Sequence, residues 1–427
     1  MNRSIAPELR NIDEIPFFNP KIHHLDNGIK AHEIKGGTQE IVKLDIILNT
    51  GIFFQQQQSQ ADATFQLLKE GTLKKSSAEI AEIIDYYGCY LNTESGNLYQ
   101  TLVVYVLRKY LENICDLLNE IFTSATFPEK ELEVYIAQQI QKILISNEKV
   151  NEIARNEFFK NWWGEDHNLG KISQVCDLKQ LNKQKLIEFN NQFYNANNIE
   201  IIISGCTDKS SIQLLNKYFG TLQIGKKNNN WVDNNNLRVN FGKFNVNKPG
   251  AVQSAIRIGF KVFSPSNSDY FSLSFLTTLF GGYFGSRLMA NIREDKGYTY
   301  GIGAHLLHQA NSHALIIATE VGKEVCNETL KEIFCEIEKL KLDLVDEIEL
   351  NTVKQYLMGN LLRSFDGIFE MADRYKFLIL NHLDLEYFVR KSRKLLKIEN
   401  NDLKRIANLA FNDKFLQITC GEHEIDN

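Results

Sequence analysis

The chain has 427 residues, 43% of them hydrophobic, which is ordinary for a folded protein and enough for two or three units with sizeable cores. Its 48 Lys and Arg stand against 53 Asp and Glu, a net charge of -5, so there is no global electrostatic case for binding nucleic acid or an anionic membrane. The first residues, MNRSIAPELRNIDEIPFF, are charged and lack the apolar centre of a secretory signal, so a cytoplasmic location is expected.

In chain order, the first strand is the β-branched run IVKLDIILNTG, Ile41 to Gly51. A helix follows in ADATFQLLKEGT, Ala61 to Thr72, with Gly71 read as a positive-φ cap. The next helix, SSAEIAEIIDYYG, opens on a capping box from Ser76 to Glu79 and stops at Gly88. Alternating strands in CYLNTESGNLYQTLVVYV lead to the amphipathic helix YLENICDLLNEIF. Trp162 and Trp163 in NWWGEDHNLG are assigned to packing or an interface. The asparagine-rich stretch GKKNNNWVDNNN, Gly225 to Asn236, reads as a linker, which divides the chain into residues 1–225, a linker at 226–236, and residues 237–427.

The same order then repeats. SAIRIGFKVF (Ser254 to Phe263) is the strand, and DYFSLSFLTTLFGG (Asp269 to Gly282) the first helix, again with a glycine cap. The uncharged run from Tyr270 to Ser286 is too short and too interrupted to span a bilayer. SRLMANIREDKG starts at a capping Ser286 and ends at Gly297; the strands YTYGIGAHLLHQANSHALIIATE and the helix VCNETLKEIFCEIEKL complete the unit. Each half is therefore expected to be α+β, a mainly antiparallel sheet with helices on one face.

Few residues suggest chemistry by themselves. Seven scattered cysteines, none in a CxxC spacing, fit buried free thiols rather than a disulfide framework or zinc ribbon. GGYFGS lacks the Gly-Lys-Ser/Thr ending of a phosphate cradle and reads as a tight turn. On a strand, His305 and His308 point to opposite faces, so they are assigned to strand and turn rather than to one metal. His23 and His24 likewise face apart and receive no role.

The duplicated layout and the stretch FGGYFGSRLMANIREDKGYTYG, with Arg293 and Tyr300 in an Arg-x6-Tyr spacing, resemble the C-terminal half of M16-family (pitrilysin-like) metallopeptidases. In that family an active chain carries HxxEH on the helix matching ADATFQLLKEGT. Two histidines one turn apart hold zinc, and the glutamate serves the metal-bound water as general base. Here the histidine positions hold Asp62 and Gln66 and the glutamate position holds Phe65. No HxxEH or HExxH occurs anywhere in the chain. The third family ligand, a glutamate on the later helix within ELEVYIAQQIQKILISNEKV, has no local counterpart; the candidate positions read Gln138, Gln139 and Lys142.

The resemblance implies a noncatalytic subunit of a heteromeric zinc-dependent M16 peptidase. Such a chain binds no metal itself and lends Arg293 and Tyr300 to peptide substrate at the zinc site of an HxxEH-bearing partner. Tyr300 would contact the oxyanion or a substrate carbonyl, and Arg293 would position the peptide. The alternatives are a structural scaffold of the same fold and, less simply, an independent metalloenzyme with displaced ligands. A homodimer of the isolated chain stays open.

Overall fold

The computed structural model describes residues 19–228, 239–309 and 312–422. The first half contains β1 (Lys21–His24), β2 (Lys30–Lys35), β3 (Ile41–Leu48), α1 (Gln60–Leu67), α2 (Ser77–Tyr86), β4 (Tyr90–Ser95) and β5 (Gln100–Leu107). It continues with α3 (Leu111–Ser124), α4 (Glu129–Ser146), α5 (Val150–Trp163), α6 (Val175–Lys179), α7 (Lys183–Phe193), β6 (Ile199–Gly205) and α8 (Lys209–Phe219). The second half runs through β7 (Gly242–Asn247), β8 (Gln253–Lys261), α9 (Tyr270–Thr277), β9 (Ile302–Gln309), β10 (Ser312–Gly322) and α10 (Cys326–Leu342). It ends with α11 (Glu347–Arg363), α12 (Ile368–Leu380), α13 (Tyr387–Lys397), α14 (Asn400–Ala410) and β11 (Phe415–Gly421).

The α+β expectation holds, and the repeat is visible in the topology. One sheet runs β1-β2-β6-β3-β5-β4 and the other β7-β11-β8-β10-β9. Apart from β1 the two orders are the same: the last strand of each half inserts beside the first. That insertion makes β2·β6 and β7·β11 parallel, while the remaining pairs are antiparallel. Period-two alternation sets the faces. In β3, Val42, Leu44, Ile46 and Leu48 enter one core with Phe65 of α1, Ile114 and Leu118 of α3 and Phe189 of α7. In β8, Ile256, Ile258 and Phe260 enter the matching core with Leu273 of α9, Ile333 of α10 and Leu403 of α14.

The opposite face of each sheet is covered by one helix from the other half. α5 lays Val150, Ala154, Phe158 and Trp162 over Ala255, Ile316, Leu416 and Ile418 of the second sheet. α12 lays Ala372, Tyr375 and Leu378 over Ile34, Ile47 and Ile202 of the first. The two helices occupy corresponding places in the repeat, so the halves exchange equivalent elements. Beneath α12, Asp45 sits fully buried between Lys43 Nζ (3.3 Å) and Lys376 Nζ (2.8 Å), and Lys43 also reaches Asp373 at 2.6 Å.

Several local expectations are corrected. Gly71 and Gly282 do not have positive φ. Gly71 is required by close packing, since a Cβ there would lie 2.7 Å from Pro128 Cγ. Helix α1 accordingly ends at Leu67, before its glycine. Ser286 does not cap; its buried hydroxyl has no hydrogen-bond partner. Of the free thiols, Cys176 and Cys335 are exposed rather than buried. The capping box at Ser76 and Glu79 is as expected, and positive φ is found instead at Gly88 and Gly297, where the second helix of each half is expected to end. From residue 229 onward, the linker assigned to 226–236 lies outside the described residues.

Candidate functional site

Arg293 and Tyr300 are brought together by a rigid frame. After α9 the chain continues as a π-helical turn, Thr278–Gly282, and a second π-helical segment, Met289–Asp295, carries Arg293. Such wide turns recur at functional sites. This segment is anchored by buried Ile292 and by Asn291, whose amide donates to Glu332 (3.0 Å) and Glu336 (2.8 Å). It stops at Gly297, whose φ of +65° suits a residue without Cβ, and Tyr298 N–H donates to Ile292 C=O at 3.0 Å.

Tyr300 then lies in the connection to β9 and not, as the stretch YTYGIGAHLLHQANSHALIIATE suggests, in a strand. Its neighbours are pinned. Thr299 Oγ1 donates to Glu320 C=O (2.7 Å), and Thr319 Oγ1 donates to Gly301 C=O (3.0 Å). The Tyr300 side chain itself is 91% exposed. The Arg293 guanidinium carbon stands 5.2 Å from the Tyr300 ring centroid and 4.8 Å from that of Phe284, so the cation is held between two aromatic faces. Sequence reading missed Phe284, although it lies in the GGYFGS turn. An open depression beside Tyr300 is lined by Asn151, Gln253, Arg257, Thr319 and Glu320.

The residues expected at the family's zinc positions are engaged otherwise. Tyr135 of α4 donates its hydroxyl to Asp62 Oδ2 at 2.6 Å, and burial, with Asp62 beside it, pushes the phenol pKa up. Thr93 donates to Gln66 Oε1 at 2.9 Å. Phe65 is fully buried and meets the Tyr194 ring edge-on at 6.2 Å. Gln138 and Lys142 are exposed on α4 and Gln139 is half-buried. One carboxylate already committed to a phenol, one amide and one hydrocarbon ring do not fit zinc, which takes Cys, His and carboxylate donors. Among the described residues no three His, Cys, Asp or Glu side chains gather as a metal-holding group.

Elsewhere, Trp162 stacks on Phe158 (5.5 Å, 12°) and donates to Ser312 Oγ at 2.9 Å, so the tryptophan pair serves packing. Asn168 donates to the carbonyls of Phe53 and Gln55, both at 2.9 Å. The structure also brings two histidines together: His308 Nδ1 and His313 Nδ1 are 3.0 Å from each other, with Tyr270 on His308 Nε2 at 3.0 Å. These two are cross-strand partners in the β9–β10 register, a relation that residue spacing alone does not reveal. No helix among the described residues is long and apolar enough to cross a membrane.

Comparison with known proteins agrees with this anatomy. A family model described as "Insulinase (Peptidase family M16)" matches residues 49–168, and one described as "Peptidase M16 inactive domain" matches residues 180–357. An uncharacterized zinc protease of Rickettsia felis is 23% identical over 82% of this chain and 85% of its own length. A zinc protease of Bacillus subtilis is 23% identical over 81% and 85%. The alpha-1 subunit of the Dictyostelium discoideum mitochondrial-processing peptidase is 25% identical over 49% of this chain and 33% of its own. The same fold is found in a peptidase M16 inactive domain from Pseudomonas fluorescens (TM-score 0.85, 19% identity, 96% of this chain and 100% of that one). It is also found in the periplasmic protease PqqL from Escherichia coli (TM-score 0.78, 14% identity, 99% of this chain but 49% of that one). With two family models covering well over half its length and the duplicated fold to match, the chain belongs to the M16 peptidase family.

Proposed function

We propose that this chain is a noncatalytic subunit of a heteromeric zinc-dependent M16 peptidase, binding peptide substrate at a zinc site contributed by an HxxEH-bearing partner. The observation that carries this reading is the pinned Arg293–Tyr300 pair, with the tyrosine almost wholly in solvent, in a chain whose own zinc positions hold Asp62, Phe65 and Gln66. An exposed aromatic on a rigid backbone costs little entropy to engage and is placed to meet another molecule.

In this role the Tyr300 hydroxyl donates to the scissile carbonyl oxygen as negative charge develops there. Arg293 lies over its two aromatic neighbours, with Nε 3.4 Å from Glu294 Oε1, and directs its remaining donors at peptide carbonyls. The partner supplies the zinc; this chain supplies binding and orientation. A relative named as a subunit of a processing peptidase supports a place in a multi-subunit peptidase.

The test is hydrolysis of a fluorogenic peptide library by this chain, by an HxxEH-bearing relative, and by the two mixed. Activity is expected in the mixture alone. In the mixed sample, Tyr300→Phe should lower kcat by about 10²-fold, the usual loss on removing one oxyanion donor. Arg293→Ala should raise KM while leaving assembly intact. Normal activity in both variants would overturn the proposal, and absence of cleavage with every HxxEH relative would favour a scaffold.

A further inference from the structure

We infer that Arg257 forms a carboxylate-binding subsite next to Tyr300, recognising either an acidic side chain or the C-terminal carboxylate of the bound peptide; this rests on the peptide-binding reading above. Arg257 lies on β8 and lines the depression beside Tyr300. Ala255 and Gly259, which flank it at period two, face α5, so Arg257 issues from the face covered by the exchanged helix.

Its guanidinium is under-used. One nitrogen, Nη2, donates to Asn151 Oδ1 at 2.8 Å, and the buried Nε has no hydrogen-bond partner. Among the described residues Arg257 makes no ion pair. Its neighbour Glu152 is taken by Arg155 at 2.7 Å. Burial, then Arg155, hold the Arg257 pKa below its ordinary value, and Glu152 and Glu320 offset part of that. A half-buried arginine with idle donors calls for explanation, since buried polar groups are normally satisfied. The buried Nε is out of a ligand's reach, but the terminal Nη1 and Nη2 edge matches a carboxylate with two parallel hydrogen bonds, stronger than those to a neutral acceptor.

The position also matters. Arg257 shares its depression with Tyr300, so a peptide held at Tyr300 by its main chain places a neighbouring side chain, or its terminus, over the guanidinium. Arg257 would thereby set sequence preference, while Arg293 and Tyr300 act on the invariant backbone.

The experiment is fluorescence anisotropy with the full chain mixed with a zinc-stripped HxxEH-bearing relative, and three fluorescein-labelled peptides of otherwise identical sequence. One carries Gln and an amidated C-terminus, one Glu and an amidated C-terminus, and one Gln and a free C-terminus. One of the two carboxylate peptides is expected to bind about tenfold tighter than the neutral one, and which one identifies the source. Arg257→Gln should abolish that preference, so that the carboxylate peptides bind no tighter than the neutral one. Arg257→Lys, which keeps the charge but loses the fork, should restore part of it. Equal binding of all three peptides, or a preference that survives Arg257→Gln, would overturn the subsite and leave the peptide-binding reading standing. Failure of every peptide to bind would overturn both.

Discussion

At the scale of single residues, the two candidate centres differ in how their side chains are used. Asp62 and Gln66 spend their polar atoms inside the fold, on Tyr135 and Thr93, while the Tyr300 ring faces solvent. Identity alone marked Asp62, Phe65 and Gln66 as poor zinc ligands, but only the structure reveals the phenol bound to Asp62. Histidines give a separate prediction. Burial, with Lys30 and His24, lowers the His32 pKa to about 4; burial, with His313, does the same for His308. Both folded values lie below the ordinary 6.5, so the unfolded chain binds more protons between about pH 6.5 and 4. Stability from the neutral imidazoles is therefore full above pH 6.5 and is lost as pH falls through that window. Urea unfolding should show a midpoint that drops already between pH 6.5 and 5, above the carboxylate range, and His308→Gln should flatten that drop. A midpoint constant from pH 7 to 5 would refute the assignment.

At the scale of elements, hydrophobic periodicity was enough to find the strand, helices and hairpin that open each half and the repeat they form, because one-sided burial writes itself into the sequence, but it left β1, β2, β6, β7, β11 and the helices α5 to α8 and α11 to α14 unassigned. It was silent on destination. The apolar residues of VNEIARNEFFKNWW look alike whether α5 covers its own sheet or the other one. Likewise, glycine at 71 and 282 was read as conformational need when close packing explains Gly71 directly. The exchange leaves its own trace at Gly259, where a Cβ would lie 2.5 Å from Phe158 Cζ and 3.1 Å from Trp162 Cζ3. Gly259→Ala should therefore push α5 off the second sheet, costing about 1–3 kcal/mol as overpacking does, with a lower urea midpoint and altered tryptophan emission. An alanine variant of unchanged stability would mean that α5 is not seated as described. The π-helical turn carrying Arg293 was equally invisible, since a wide turn and a regular one share the same apolar pattern over so few residues.

At the scale of the whole molecule, the exchanged helices make the two halves depend on each other. Helix α12 belongs to the second half, yet Lys376 and Asp373 complete the charge cluster around Lys43 and Asp45 in the first sheet. Burial opposes charge on Lys43 and Lys376, but Asp45 and Asp373 more than offset it and raise both pKa values, so the lysines stay cationic. Asp45→Asn leaves two largely buried ammonium groups short of a counter-charge, a loss of about 3–5 kcal/mol when a buried pair is broken on one side. Its consequence should not stay local. Of the three tryptophans, Trp162 and Trp163 lie on α5 over the second sheet, far along the chain from Asp45. In a Trp231→Phe background, tryptophan emission reports that sheet while far-UV circular dichroism reports the whole chain. If the reciprocal helices couple the halves, Asp45→Asn should shift both urea transitions together and by the same amount. A shift in circular dichroism with the tryptophan transition left in place would mean that the halves unfold independently, and that a partner meeting Arg293 and Tyr300 would feel nothing of changes in the first sheet.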